Sequence, residues 1–417
     1  MIIFVCDFTI KMSLKMECTM DLLIKNIGKL YTLHPDEETI EGKDNYALGF
    51  LDGTLVYEGP SVSSLSAEIE IDAKEYIVLP GLVDPHTHTV FAGSRSSEFA
   101  RRLAGENYSS ILEQGGGIHS TVRHTRNTSI TELREIAMQR MRIMKQHGVT
   151  TVEIKSGYGL TPQSEQNMLK ALSDPLPIRV HKTFLVHTID KDFWNDREAY
   201  IDQIINEQIP MCSPYADSID IYCDRGAFSL EESKLILSHA QQNYGLNIKA
   251  HAEQVIYTGI AKWVAENKGL SVDHLEQLRI EDIDALANNG CVATLLPGAQ
   301  LYLKDPSPPV QHLREAKIPI AIGTDLNPGT SPVTNIWTAA TLSTLLQGLT
   351  MEEALLGITR NAAKALGRSD LGWIGQGSAN DVILLRPPAG EPLHFHSLIQ
   401  YLSSHTIHTC VIGGKIV

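Results

Sequence analysis

The sequence has no Cys-x-x-Cys pair, no apolar run long enough to span a bilayer, and fewer basic than acidic residues. Each shortage excludes something. Its six cysteines (Cys6, Cys18, Cys212, Cys223, Cys291 and Cys410) are scattered, so neither a disulfide framework nor a thiolate zinc site is indicated, and a reducing cytoplasm fits. No stretch approaches the ~18 apolar residues of a spanning helix. Lysine and arginine number 35 against 49 acidic residues, a net charge of −14. That balance excludes nucleic acid and anionic membrane as expected partners, because binding phosphates needs a basic face. An anionic small substrate stays open, since one local arginine can override the mean. Internal repeats and low-complexity segments are also missing.

What is present is ordinary globular composition: 417 residues, 43% apolar and 20% charged. Length alone suggests two or three domains, although one α/β barrel can absorb most of it. The start, Met1-Ile-Ile-Phe-Val, lacks the basic n-region of a signal peptide, and Asp7 and Lys11 interrupt its apolar stretch. Met20-Asp-Leu-Leu-Ile24 makes a natural first strand, so residues 1–19 are read as a flexible N-terminal extension.

From 20 to 79 short β-prone runs alternate with turn residues, as in Leu55-Val-Tyr57 after the Asp52-Gly53 turn. That reads as a small antiparallel sheet. The C-terminal end echoes it in Asp381-Val-Ile-Leu-Leu385 and Thr409-Cys-Val-Ile-Gly413. We therefore expect a small β-sandwich domain assembled from residues 20–79 and 376–417. Between them, apolar strands at 149–154, 179–186, 218–221, 247–250, 271–273, 291–295 and 318–322 alternate with helical stretches at 130–147, 229–244 and 280–288. Thr131 is the expected N-cap of the first helix. Repeated strand–helix units over residues 80–375 indicate an α/β fold, a TIM-like (β/α)8 barrel.

The strongest chemical signal is Asp84-Pro-His-Thr-His88. Residues two apart in a strand point to the same side, so His86 and His88 can present two imidazoles to one ion. Alone, H-x-H is a common surface pattern. Here His251, His274 and Asp325 also end apolar strands, and barrel active sites sit at strand C-termini. Each alone reads as a satisfied histidine or a capping aspartate; together they read as a site. Three histidines and an aspartate suit Zn2+ or Fe2+ rather than Mg2+, and such an ion would lower the pKa of a bound water toward about 7.

These residues resemble the amidohydrolase superfamily. Further segments resemble its imidazolonepropionase family: Val90-Phe-Ala-Gly-Ser-Arg95, Gln114-Gly-Gly-Gly-Ile118, Lys155-Ser-Gly-Tyr-Gly-Leu160, His251-Ala-Glu-Gln254, Leu295-Leu-Pro-Gly-Ala299 and Thr324-Asp-Leu-Asn-Pro-Gly-Thr-Ser-Pro332. The resemblance runs in one order from about 20 to 417. It implies hydrolysis of 4-imidazolone-5-propanoate to N-formimidoyl-L-glutamate in histidine degradation. It also implies one Zn2+ or Fe3+ held by His86, His88, His251 and Asp325, and a homodimer.

The remaining polar residues around this cluster each have a bland alternative as well as a functional role. Arg95 would clamp the substrate carboxylate bidentately; without the resemblance it is a solvated loop arginine. Tyr158, in a glycine-flanked turn, would hydrogen-bond substrate. His187, where the family places a substrate-binding histidine, would polarise the lactam oxygen, while His181 is structural. Asn327, Gly329 and Thr330 would offer donors to a carboxylate or ring. Gln254 replaces the glutamate of some family members and cannot take a proton, so it should only hydrogen-bond the ring, with Glu253 turned away. Proton transfer then falls to Asp325, and His274 orients the nucleophile and stabilises the oxyanion. Asp84 is expected to hold an imidazole N–H. Lys155 raises a binuclear, carboxylated-lysine alternative, but the strand it ends, counted as the third, is not the one on which the family pattern carries that lysine. Two rivals remain: a guanine- or cytosine-type deaminase, which would want a glutamate near Gln254 and has no use for Arg95, and a non-catalytic barrel scaffold, which would have lost its metal ligands.

Overall fold

A computed structural model describes residues 20–37, 39–106, 116–402 and 404–417. The expected extension at 1–19 and the start of the Gln114 motif lie outside the described residues. Eight parallel strands form one sheet in sequence order: β1 (Leu82–Asp84), β2 (Val149–Lys155), β3 (Arg179–Val186), β4 (Ser218–Cys223), β5 (Asn247–Ala252), β6 (Ser271–His274), β7 (Val292–Leu295) and β8 (Ile320–Ile322). The ring closes just beyond the strands, where Thr87 bridges Leu326 in parallel, Asp325 N–H donates to His86 O and His88 N–H donates to Leu326 O. This is the expected barrel, and its closing seam runs through three of the proposed site residues. Lys155 ends the second barrel strand, not the third.

The helices form where amphipathic spacing and caps agree. Ile130–Gln146 buries Leu133, Ala137, Met141 and Met144, one face of a 3.6-residue period. Its N-cap is Ser129, not Thr131. The Ser129 hydroxyl accepts from Glu132 N–H and the Glu132 carboxylate accepts from Ser129 N–H, a reciprocal cap worth about 1 kcal/mol that Thr131 has no glutamate three residues on to form. Each fully buried Leu or Met on that face adds roughly 1.5–3 kcal/mol.

The chain ends build two further sheets of mixed strand direction rather than the antiparallel sheet expected. One orders Thr54–Pro60, Tyr46–Leu51, Met20–Ile27 and Ala67–Asp72, the last pair parallel. The other joins both ends, with Ile77–Pro80 antiparallel to Val382–Arg386 and parallel to Lys29–Leu30. Leu22, Ile24, Leu48 and Phe50 of one sheet and Val78, Val382, Leu384 and Val411 of the other share one core. Among the described residues no helix is long and apolar enough to cross a membrane.

Candidate active site

The side chains that matter lie at the C-terminal end of the barrel, and strand parity explains most of them. On β2 residues 151, 153 and 155 point inward, on β4 residues 218, 220 and 222, and on β5 residues 249 and 251. The lower layer carries five charged groups with no solvent exposure: Glu153, Lys155, Asp220, Lys249 and Asp273. Lys155 Nζ lies 2.6 Å from Asp220 Oδ2, 3.0 Å from Glu153 and 3.5 Å from Asp273. Lys249 Nζ pairs with Glu153 at 2.7 Å and donates to Pro85 O. The Lys155 ammonium is fully paired, which leaves no nitrogen free for carboxylation.

The upper layer stands on these carboxylates. His86 Nδ1 lies 2.6 Å from Asp273 Oδ2, and His251 Nδ1 lies 3.0 Å from Asp220 Oδ1. Each bond places the ring proton on Nδ1 and leaves the Nε2 lone pair facing upward. Burial keeps both imidazoles neutral; for His86, Lys155 pushes in the same direction, while for His251 the Asp220 carboxylate opposes the shift without cancelling it. Burial would raise the Asp220 carboxyl, but His251 and Lys155 hold it well below the usual range.

Above them the donors converge. His88 Nε2 is 3.3 Å and His86 Nε2 3.6 Å from Asp325 Oδ1, and His251 Nε2 is 3.5 Å from His88 Nε2. Two ligands of a tetrahedral ion with bonds near 2.0–2.1 Å stand about 3.4 Å apart, so the spacing fits one ion. His86 Nε2 is buried with no hydrogen-bond partner, a cost that a bound cation would remove. The donor chemistry and the orphaned nitrogen therefore both suit a metal, and among the described residues His86, His88 and Asp325 form one cluster able to hold it.

Two residues, His274 and Glu253, depart from strand parity, and with Asp325 they adopt left-handed backbone. His274 has the outward parity of Val272, but φ 85° at His274 and 75° at Leu275 swing its ring into the cluster, 5.5 Å from His251. Asp325 has φ 52°. Glu253 has inward parity, yet φ 56° turns it aside to accept from the N–H groups of Thr258, Gly259 and Ala261. It caps the helix Ile260–Glu266 and leaves Gln254 lining the cavity. Such backbone costs about 1–3 kcal/mol per residue and gathers at functional sites.

The cluster opens into a cavity of about 530 Å³. Its walls bring together His88, Arg95, Tyr158, His187, His251, Gln254, His274, Asp325, Asn327 and Thr330. Gly329 lies behind, packed on Arg95 and bordering a neighbouring cavity. Arg95 Nε is tied to Glu98 at 2.9 Å, and no described residue hydrogen-bonds its Nη groups. Four expectations change on this geometry. Asn327 is a loop brace: its Oδ1 accepts from Gly329 N–H, Thr330 N–H and Thr330 Oγ1, and its Nδ2 donates to Asp325 O. Those same bonds consume the Gly329 and Thr330 amides. His187 Nδ1 lies 3.1 Å from Gly157 O, so that nitrogen carries the proton; burial, with His88 and His251 nearby, keeps the ring neutral. Its Nε2 is then an acceptor, not the donor needed to polarise a carbonyl. Asp84 binds no imidazole. It accepts from Thr324 N–H and Oγ1 across the closing seam, and Asp273 and Asp220 hold the rings instead. His181, as expected, sits low in the barrel and meets Ser218 Oγ.

Sequence reasoning missed Asp220, Asp273, Glu153 and Lys249, and also Arg102, which shares the cavity wall and donates to Gly329 O. A signal existed: charged residues at alternate positions within otherwise apolar strand runs.

An eight-stranded parallel barrel, joined to a two-ended sheet domain and carrying a His/Asp cluster above its strand ends, is the architecture of metal-dependent amidohydrolases. The sequence model of the Amidohydrolase family matches residues 100–417. The imidazolonepropionase of Caldanaerobacter subterraneus subsp. tengcongensis is 39% identical over 401 residues, covering 92% of this chain and 96% of that protein. That of Maricaulis maris is 40% identical over 394 residues, covering 90% and 96%. The chain belongs to the imidazolonepropionase family. Among solved structures, an adenosine deaminase from Xanthomonas campestris with bound zinc superposes with a TM-score of 0.69 at 18% identity, covering 95% of this chain and 93% of that one. Atrazine chlorohydrolase from Arthrobacter aurescens complexed with zinc gives 0.67 at 18%, covering 95% and 94%. These two share the fold.

Proposed function

We propose that the chain hydrolyses the cyclic amide of 4-imidazolone-5-propanoate to N-formimidoyl-L-glutamate, a step of histidine degradation. The observation that carries this reading is the convergence of His86, His88, His251 and Asp325 at one wall of a cavity that Arg95 also lines. Those four residues would hold one Zn2+ or Fe3+. When bound, such an ion supplies Lewis acidity, making water a nucleophile at neutral pH and polarising a carbonyl.

The side chains divide the rest of the work. The Nη groups of Arg95 take the propionate as a charge-assisted fork, with Asn327 bracing the loop that carries Gly329 and Thr330. Tyr158, Gln254 and the Thr330 hydroxyl line the ring's berth, and His187 Nε2 accepts from a ring N–H. Water attacks the ring carbonyl carbon, and His274 Nε2 accepts a hydrogen bond from that water and orients it for attack. The carbonyl–nitrogen bond then breaks. Asp325 takes a proton from the attacking water and returns it to the departing nitrogen. Gln254 cannot share that task, because an amide does not accept a proton at neutral pH. We also propose residues 20–79 and 376–417 as the sandwich domain and 80–375 as the barrel domain. The expectation of a homodimer rests on the resemblance, and that of a cytoplasmic location on the scattered cysteines.

Decay of the ultraviolet absorbance of imidazolonepropionate by the metal-loaded protein tests the reading. Activity should vanish on chelation and return with about one equivalent of metal. Asp325→Asn should lower kcat by roughly 100-fold or more, and Gln254→Glu should not raise it strongly. An active metal-free protein, or ammonia released from a purine or pyrimidine in place of ring opening, would overturn it.

A further inference from the structure

Beyond β6 the chain makes a turn that the reading above does not use. His274 and Leu275 are consecutive non-glycine residues at positive φ. Leu275 N–H donates to Ala252 O at 3.0 Å and Gln277 N–H to Glu253 O at 2.6 Å, which pins the turn to the end of β5. Its effect is to return Glu276 beside the imidazole of His274. Glu276 Oε1 lies 3.7 Å from His274 Nδ1, with side-chain exposures of 0% and 3%.

All three polar atoms are unsatisfied: neither Glu276 oxygen nor His274 Nδ1 has a hydrogen-bond partner, and all are buried. A buried carboxylate with both oxygens unmatched is not tolerated without a cation or an N–H to face. Among the described residues His274 Nδ1 is the one basic nitrogen within 4.0 Å of it. The two groups are therefore each other's partners. A closure of a few tenths of an ångström makes the bond.

We propose that Glu276 is a positioning residue for the hydrolysis: its carboxylate receives the Nδ1–H of His274, fixing the ring's orientation and tautomer so that the Nε2 lone pair is presented to the attacking water. It does for His274 what Asp273 and Asp220 do for His86 and His251, with a different result. Those two carboxylates prepare lone pairs for a metal, whereas Glu276 prepares one for the attacking water. The proposal rests on the role assigned to His274, so the two are tested apart.

The zinc-loaded enzyme and its Glu276→Gln, Glu276→Ala, His274→Ala and double variants are compared. Glu276→Ala should lower kcat on the order of 100-fold, with KM and zinc content within twofold of the parent. Glu276→Gln, which keeps an oxygen for the Nδ1–H and nearly the same shape, should recover much of that loss. Adding Glu276→Ala to His274→Ala should cost nothing further, because both remove one function. The 15N spectrum of His274 should show a protonated Nδ1 in the parent and a changed tautomer ratio in Glu276→Ala; a positioning role moves this signal and a purely structural role does not. An unchanged spectrum, or an equal loss of kcat in the His274→Ala background, overturns the proposal. If His274→Ala retains full activity, the reading of His274 fails instead, and the spectrum still decides whether Glu276 holds the ring.

Discussion

Replacing Lys155 by methionine removes one charge from a buried set of five. At 2.6, 3.0 and 3.5 Å from three carboxylates, its ammonium has gross attractions of about 5–6 kcal/mol each at an effective dielectric near 20. Much of that offsets the cost of burying the charge. The net loss on breaking such a set is about 3–5 kcal/mol, since it leaves charge uncompensated. That is a large part of the roughly 5–15 kcal/mol that holds a domain together. In Lys155→Met, Glu153, Asp220 and Asp273 would face Lys249 alone, and one carboxyl would rise above its unfolded value. A group raised in this way stabilises below its unfolded pKa and loses that contribution as pH climbs through the folded one. The variant's deficit should therefore widen between pH 5 and pH 8. Asp220 would also grip the His251 Nδ1–H less tightly, weakening metal binding about 10- to 100-fold. Urea denaturation across pH and zinc titration against a chromophoric chelator measure the two effects. A deficit below about 1 kcal/mol, a deficit that narrows with rising pH, or unchanged zinc affinity would show that the network does not support the site.

Two smaller perturbations address other parts of the molecule. A Cβ on Gly329 would stand 2.2 Å from Arg95 Nη1 and 2.8 Å from its Cζ, so Gly329→Ala should displace the guanidinium. KM should rise roughly tenfold, about 1.4 kcal/mol of lost binding, with the melting temperature unchanged; a KM within twofold of the parent would separate Arg95 from the carboxylate. Burial against Trp337 pulls the His405 imidazole down to about 4, with His147 adding to the shift. Its stabilisation is complete above pH 6.5 and is lost as pH falls toward 4, by up to about 1.4 kcal/mol per unit. His405→Phe should abolish that part of the acid sensitivity in urea midpoints measured at pH 8 and pH 5; parallel curves for the two proteins would refute it.

Local pattern was enough to read the barrel, because strand–helix alternation is written in neighbouring residues, although it put the cap of Ile130–Gln146 two residues late. It was enough, too, to pick out His86, His88, His251, His274 and Asp325 as site candidates, since each follows or ends an apolar strand run, whereas the choice of four of them as ligands came from the family resemblance. What those residues face depends on register between strands far apart in sequence. Asp220 meets His251 because Ser218–Cys223 pairs in parallel with Asn247–Ala252, and Asp84 meets Thr324 because the first and last strands close the ring. Neither contact leaves a local trace.

The chain's order of elements, its ligand-type residues and its shortage of thiolate pairs and basic faces were determined by the sequence itself. Tertiary structure decided protonation and direction. Gly157 O placed the His187 proton, and left-handed backbone turned His274 inward and Glu253 aside. The buried carboxylates found their imidazoles only when eight strands stood side by side. A side chain's chemistry is carried by its own atoms, whereas its tautomer, its charge and its aim are set by groups that only folding brings within hydrogen-bond reach.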